Sequence, residues 1–157
     1  MGSKGAKKDE KKGPGSIQNR KASYDYEFVD TYEAGIALVG TEVKSIYLGR
    51  ANLTDAYCLV KDGEIWLHSL DVEPYDKASH FSHQRRRDRK LLMHKREIEV
   101  IKRKSQEKGL TIIPYRVYFN EKGRVKVAVA LARGKREYDK RESIKKKDTR
   151  RELMRGE

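Results

Sequence analysis

A chain of 157 residues suffices for one domain with a modest core, but 39% charged against 36% hydrophobic residues is too polar for a compact globule throughout, so part of it is expected to be tail. No apolar run is long enough to span a bilayer, no apolar segment follows the N-terminal lysines, and the single cysteine, Cys58, excludes an internal disulfide. A net charge of +13 points to a polyanionic partner, although lysine and arginine also serve plain solubility.

The charge sits at the ends. Residues 1–21 carry seven basic and two acidic side chains, residues 133–157 eleven and six, and the stretch 22–132 nineteen and sixteen. Two basic arms therefore flank a nearly balanced body. Neither arm has the aromatic and leucine face of an interfacial helix, so the layout suits RNA better than a membrane. A cytoplasmic protein with a buried free thiol is expected.

Met1 to Ser16 is rich in lysine and glycine without an apolar period, which predicts a disordered basic extension over 1–18. The body is expected over 19–132. Tyr24, Tyr26 and Phe28 alternate with Asp25 and Glu27 as in a half-buried strand. Glu33-Ala34-Gly35 reads as a tight connection, and the apolar run 36–39 as a second, short strand. Gly40 stops it, and Thr41 is the expected N-cap of a helix over 42–48, with Val43, Ile46 and Tyr47 on one face and Gly49 closing it. Strands over 56–60 and 64–70 flank Lys61-Asp62-Gly63, a hairpin signal because type I′ turns need positive φ. Trp66, with Ile65, Leu67 and Leu70, marks a core edge; packing is its plainer role and base stacking the alternative.

Residues 74–84 have loop composition. The basic run Arg85 to Lys90 follows, then Leu91-Leu92-Met93, which cannot all point inward on one helix or strand. A helix over 95–108 is expected, with Glu97 capping back towards His94, Gly109 at its end, and Ile98 and Ile101 inward. Thr111 to Phe119 is a strand, Asn120 to Gly123 a hairpin loop, and Val125, Val127, Val129 and Leu131 mark the last strand. These elements predict a mainly β, α+β fold: a small antiparallel β-barrel of about six strands with two principal helices and a basic C-terminal tail, closure removing exposed edges. From Arg133 the pattern dissolves. Between Asp139 and Glu152 the only large apolar residue is Ile144, so residues 133–157 are expected to be disordered alone, though Glu142 and Lys146 favour a helix on a polyanionic surface.

Catalytic and metal signatures are weak. His80-x-x-His83 lacks an accompanying cysteine pair, and no phosphate-binding glycine loop or nucleophile with an activating base is evident. No cofactor or metal and no enzymatic activity are expected. Arg85 to Lys90 offers guanidinium forks suited to phosphate, with a solvated charged face as the bland alternative. Its junction with Leu91-Leu92-Met93-His94 favours RNA, because an apolar wedge beside cations can meet an unpaired base.

Several blocks together carry a resemblance: Glu-Ala-Gly-Ile-Ala-Leu at 33–38, Gly-Thr-Glu-Val-Lys-Ser at 40–45, Ala-Asn-Leu-Thr-Asp-Ala-Tyr at 51–57, Arg-Lys-Leu-Leu-Met-His-Lys-Arg-Glu-Ile at 89–98, Lys-Gly-Leu-Thr-Ile-Ile-Pro at 108–114, Tyr-Phe-Asn at 118–120 and Ala-Arg-Gly-Lys-Arg-Glu-Tyr-Asp-Lys-Arg at 132–141. From about Asn19 onward the chain resembles the SmpB family, the bacterial tmRNA-binding proteins of trans-translation. It departs at His83-Gln84, where the family usually carries Asp-Pro, and in a shorter tail.

The resemblance implies an oligonucleotide-binding-type barrel that grips the tRNA-like domain of tmRNA and brings it to the A site of ribosomes stalled on broken messages. Elongation factor Tu would be reached indirectly through the charged tmRNA, and the protein would act as a monomer. It implies RNA-contacting roles for Glu33, Arg89, Lys90, Leu92, His94 and Lys126. It implies decoding-centre and mRNA-channel roles for Arg133, Gly134, Lys135, Arg136, Tyr138, Asp139, Lys140, Arg141, Lys145, Leu153 and Met154. A carboxylate at Glu33 can accept from base amino groups as arginine cannot, and Tyr138 can stack on a base. Two other readings compete: a generic basic barrel protein bound to ribosomal RNA, and an RNA-processing enzyme.

Overall fold

The computed structural model describes residues 14–75 and 83–135. Its elements, in chain order, are β1 (Ile17–Gln18), α1 (Arg20–Asp25), β2 (Tyr26–Ile36), α2 (Gly40–Tyr47), β3 (Ala51–Asn52), β4 (Tyr57–Lys61), β5 (Glu64–His68), β6 (Asp71–Val72), β7 (Arg89–Leu92), α3 (Lys95–Lys108), β8 (Thr111–Phe119) and β9 (Val125–Gly134). The main sheet is antiparallel and ordered β1-β8-β4-β5-β7-β2-β9; β8 also pairs with β9, so the order of pairings returns on itself. β3 and β6 form a separate two-stranded sheet. The mainly antiparallel β architecture with a few helices is the one expected.

Alternation explains the core. Inward-facing Val125, Val127, Val129 and Leu131 of β9, Ile65 and Leu67 of β5, and Leu91 of β7 meet Ile46 of α2 and Ile98 and Ile101 of α3. A smaller outer cluster joins Ala22, Ile113 and Ala132 beneath Tyr26, Phe28 and Tyr115. The 62–63 turn takes positive φ at Asp62 (51°) and Gly63 (77°), the hairpin geometry its sequence predicts. α3 runs from Lys95 to Lys108 and ends on Gly109 in the left-handed region, as expected.

Several expectations need correction. Residues 20–25 are helical rather than part of the first strand, because the Asn19 side chain accepts from the Ala22 N–H at 3.1 Å while its amide donates to the Leu53 carbonyl. Glu33-Ala34-Gly35 is not a connection: β2 runs through it, paired with Ala128, Val127 and Lys126 of β9. Residues 37–39 leave the sheet, and Val39 rather than Thr41 caps α2, its N–H donating to Glu42 Oε1 at 2.9 Å. Tyr47 is exposed; Glu42 and Ser45 are the buried partners of Ile46. Trp66 lies half-buried on the face opposite Ile65 and Leu67. β1, at residues 17 and 18, pairs with β8, and β9 continues to Gly134.

Candidate nucleic-acid interface

β7 decides what the basic run does. Its alternation sends Arg89 and Leu91 inward and leaves Lys90 half-buried and Leu92 exposed. Arg89 is fully buried: its Nε donates to Glu42 Oε2 at 2.8 Å and its terminal nitrogens to the carbonyls of Leu70, Gln84, Arg85 and Arg87. Arg87 closes on the same carboxylate, donating to Oε2 at 2.8 Å and Oε1 at 2.7 Å. Burial alone would raise the Glu42 carboxyl, but hydrogen bonds from Arg87, the Val39 N–H and Arg89 hold it below the ordinary carboxylate range. Burial in turn lowers the Arg89 guanidinium from its ordinary value, partly offset by Glu42.

The outer members of the run are engaged as well. Arg85 forks onto Asp71 at 2.9 and 3.1 Å, which keeps the Asp71 carboxyl low, and Arg86 reaches Asp55 at 3.3 Å. In this structure Arg89 directs its donors into the fold rather than into the cleft, and it locks the 84–89 segment and β7 onto α2. His83, the second histidine of the sparse metal pattern, is bonded instead: Nε2–H donates to the Val72 carbonyl and Nδ1 meets the Thr41 hydroxyl, each at 2.9 Å. His80 lies outside the described residues.

The remaining five body residues converge. Glu33 of β2, Lys90 and Leu92 of β7, His94 before α3 and Lys126 of β9 line one open cleft of about 730 Å³, with Gly35, Met93 and Lys95. Register brings them there: Gly35 pairs with both Leu92 and Lys126, so β7 and β9 flank β2 at that point. Leu92 is 52% exposed, the outward member of the apolar triplet, and a Cβ at Gly35 would fill the space beside it, 3.4 Å from Leu92 Cβ. Lys90 Nζ donates to Glu64 at 2.8 Å. The His94 N–H donates to Glu97 at 3.3 Å, fixing where α3 starts, and that N-terminus adds positive partial charge at the rim. The Tyr118 hydroxyl donates to the Glu33 carboxylate. Three carboxylates line the cleft, Glu64 paired with Lys90 and Glu97 with the His94 N–H, which leaves Glu33 beside Lys90, Lys95, Lys126 and the raised leucine in a surface that can read a base amino group, neutralise phosphate and cover a base face.

The tail residues begin elsewhere. Arg133 and Gly134 are exposed at the far end of β9, seven residues beyond Lys126, or roughly 20 Å along the strand. Arg133 stands 3.6 Å from Glu27, and Lys135 donates through Nζ to the Ser23 carbonyl at 3.1 Å. Arg136, Tyr138, Asp139, Lys140, Arg141, Lys145, Leu153 and Met154 lie outside the described residues, as do most of the N-terminal extension and of the 74–84 loop.

Reading the sequence alone missed Glu42, because its partner Arg89 is 47 residues away and a glutamate in a helical first turn looks solvated. Tyr118 was visible as part of a strand and of the Tyr-Phe-Asn block, with no role assigned to it. Among the described residues, no helix is long and apolar enough to cross a membrane, and no group of three or more metal-ligating side chains occurs.

Comparison with known proteins agrees on one family. The family model for SmpB protein matches residues 16–156. An SsrA-binding protein of Phocaeicola vulgatus is 51% identical over 142 residues, 90% of this chain and 95% of its own length. One from Symbiobacterium thermophilum is 54% identical over 139 residues, covering 88% of each chain. Among solved structures, a chain from a work described as "tmRNA-SmpB: a journey to the center of the bacterial ribosome" superposes with a TM-score of 0.66 at 46% identity, over 82% of this chain and 94% of that one. With its fold, its sequence blocks and a match from residue 16 to residue 156 in agreement, this chain belongs to the SmpB protein family.

Proposed function

We propose that the protein is an RNA-binding adaptor of trans-translation: it binds the tRNA-like domain of tmRNA and delivers it to the A site of stalled ribosomes. The observation that carries this is the cleft in which Glu33, Lys90, Leu92, His94 and Lys126 meet. Glu33 accepts from base amino groups, Lys90 and Lys126 neutralise phosphate, and Leu92 with His94 forms a wedge against unstacked bases. Relatives named SsrA-binding proteins, about half identical to this chain, support the assignment.

The segment from Arg133 through Gly134, Lys135, Arg136, Tyr138, Asp139, Lys140, Arg141 and Lys145 to Leu153 and Met154 probes the decoding centre and the vacant mRNA channel, becoming helical there. The protein acts in the cytoplasm as a monomer, without catalysis, and meets elongation factor Tu only through the charged tmRNA. Lys126 in the cleft, and Arg133 and Gly134 at the opposite end of β9, support a division in which the body holds RNA while the tail reads the ribosome.

The test removes residues 139–157. Affinity for the free tRNA-like RNA stays nearly unchanged while tagging of stalled peptides in a reconstituted translation system is abolished. A large loss of free-RNA affinity refutes the division of labour. Defined cleavage of the bound RNA in magnesium contradicts a purely adaptor role.

A further inference from the structure

The cleft does not end at β9. On the outer face of the sheet, one cross-strand row holds Glu33 of β2, Ala128 of β9 and Arg116 of β8; the next holds Gly35, Lys126 and Tyr118. Residues two apart share a face, so Glu33, Gly35, Lys126, Ala128, Arg116 and Tyr118 form one surface of two rows across three strands. The small residue at its centre, Ala128, lets Tyr118 lean diagonally across β9 so that its hydroxyl donates to Glu33 Oε2. The Arg116 guanidinium lies over the Tyr118 ring, 4.3 Å from its centroid, in cation–π contact. Arg116 is exposed, with its guanidinium carbon over the ring.

From this arrangement we infer that Tyr118 and Arg116 extend the RNA site onto β8, Tyr118 as the positioning residue of the Glu33 carboxylate and Arg116 as a contact to backbone phosphate. The inference rests on the RNA-binding reading above. Three observations carry it. A glutamate on a strand surface has several rotamers, and a phenol bonded to one oxygen selects one and leaves the other oxygen to accept from a base. Arginine stacked on an aromatic ring is pre-organised for bidentate phosphate contact. Glu33 and Arg116 are two strands apart, about 10 Å at the usual strand spacing, so one nucleotide can span base acceptor and phosphate donor. The basic run 85–89, by contrast, is occupied by Glu42, Asp71 and Asp55.

The experiment titrates the full-length chain with a tRNA-like-domain RNA fragment and with an elongator tRNA as control, at several salt concentrations. Tyr118→Phe keeps the ring under Arg116 and loses only the hydroxyl. It weakens binding roughly three- to tenfold with the salt slope unchanged. In a Glu33→Gln background the same change adds nothing, because there is no longer a carboxylate to orient. Arg116→Gln lowers the salt slope by about 0.7–0.9, and Arg116→Lys restores most of it. Equal thermal melting of the variants excludes misfolding. If the wild type distinguishes the two RNAs while Tyr118→Phe is silent or its effect adds to that of Glu33→Gln, or Arg116→Gln leaves the slope intact, the inference is overturned and the cleft reading survives. If the wild type does not distinguish the two RNAs, both fall.

Discussion

Arg89 and Lys90 are neighbours in one strand and carry the same charge, yet they belong to different parts of the molecule. Arg89 points inward, is wholly buried, and spends its donors on Glu42 and backbone carbonyls. Lys90 points outward, is 40% exposed at its side chain, and lines the cleft. The difference follows from the two-residue period of a strand and from the neighbours each face offers. Buried charge is tolerated only where every donor is met, and the Arg89 site meets that demand with one carboxylate shared between two arginines. Outward charge, here paired with Glu64 at a half-exposed site, stays partly hydrated and within reach of a partner. A run of basic residues is therefore not one patch: its inward member builds the support on which its outward member, and Leu92 beyond it, are displayed.

The comparison is broken most directly at its buried side. Glu42→Gln leaves Arg89 as an uncompensated buried charge and is expected to cost about 3–5 kcal/mol of stability by urea unfolding. A loss near zero would mean that the carboxylate does not hold this region. The same carboxylate predicts a pH dependence. Its folded-state pKa is depressed, so its contribution is present above the ordinary glutamate value of about 4.3 and is lost as pH falls through the lower folded value. The wild type's margin over Glu42→Gln should therefore shrink in urea titrations below that pH and stay flat between neutral pH and pH 6.

On the exposed side, Leu92→Ala is expected to move stability by no more than about 0.5 kcal/mol while weakening binding of the tRNA-like RNA by about 1–2 kcal/mol. Unfolding comparable to that of the Glu42 variant would place Leu92 in the core instead. Glu33→Ala should likewise weaken RNA binding although it removes a negative charge; tighter binding would contradict its acceptor role. The smallest effect belongs to Arg86→Ala. Its half-exposed pair with Asp55 should be worth about 0.2–1 kcal/mol in unfolding, a fraction of the Arg89 clamp from the same run.

Much of this protein was legible in its residues. α3 with its Gly109 ending, the Asp62-Gly63 turn, and the strands Thr111–Phe119 and Val125 onward follow from local periods and caps that need no distant partner. So does the expectation that one of Leu91, Leu92 and Met93 must face outward, since alternation forbids burying all three. The family resemblance named Glu33, Lys90, Leu92, His94 and Lys126, which the fold then gathers into one cleft. Tertiary structure alone decided the rest. Strand pairing with β9 carried β2 through Glu33-Ala34-Gly35, where the local signal was a turn. Register chose Leu92 as the outward residue, and a carboxylate 47 positions away engages Arg89 inside the fold. Local sequence fixes which conformations a segment prefers, whereas the partner that meets a buried charge, or the face a strand presents, depends on residues that become neighbours only when the chain closes on itself.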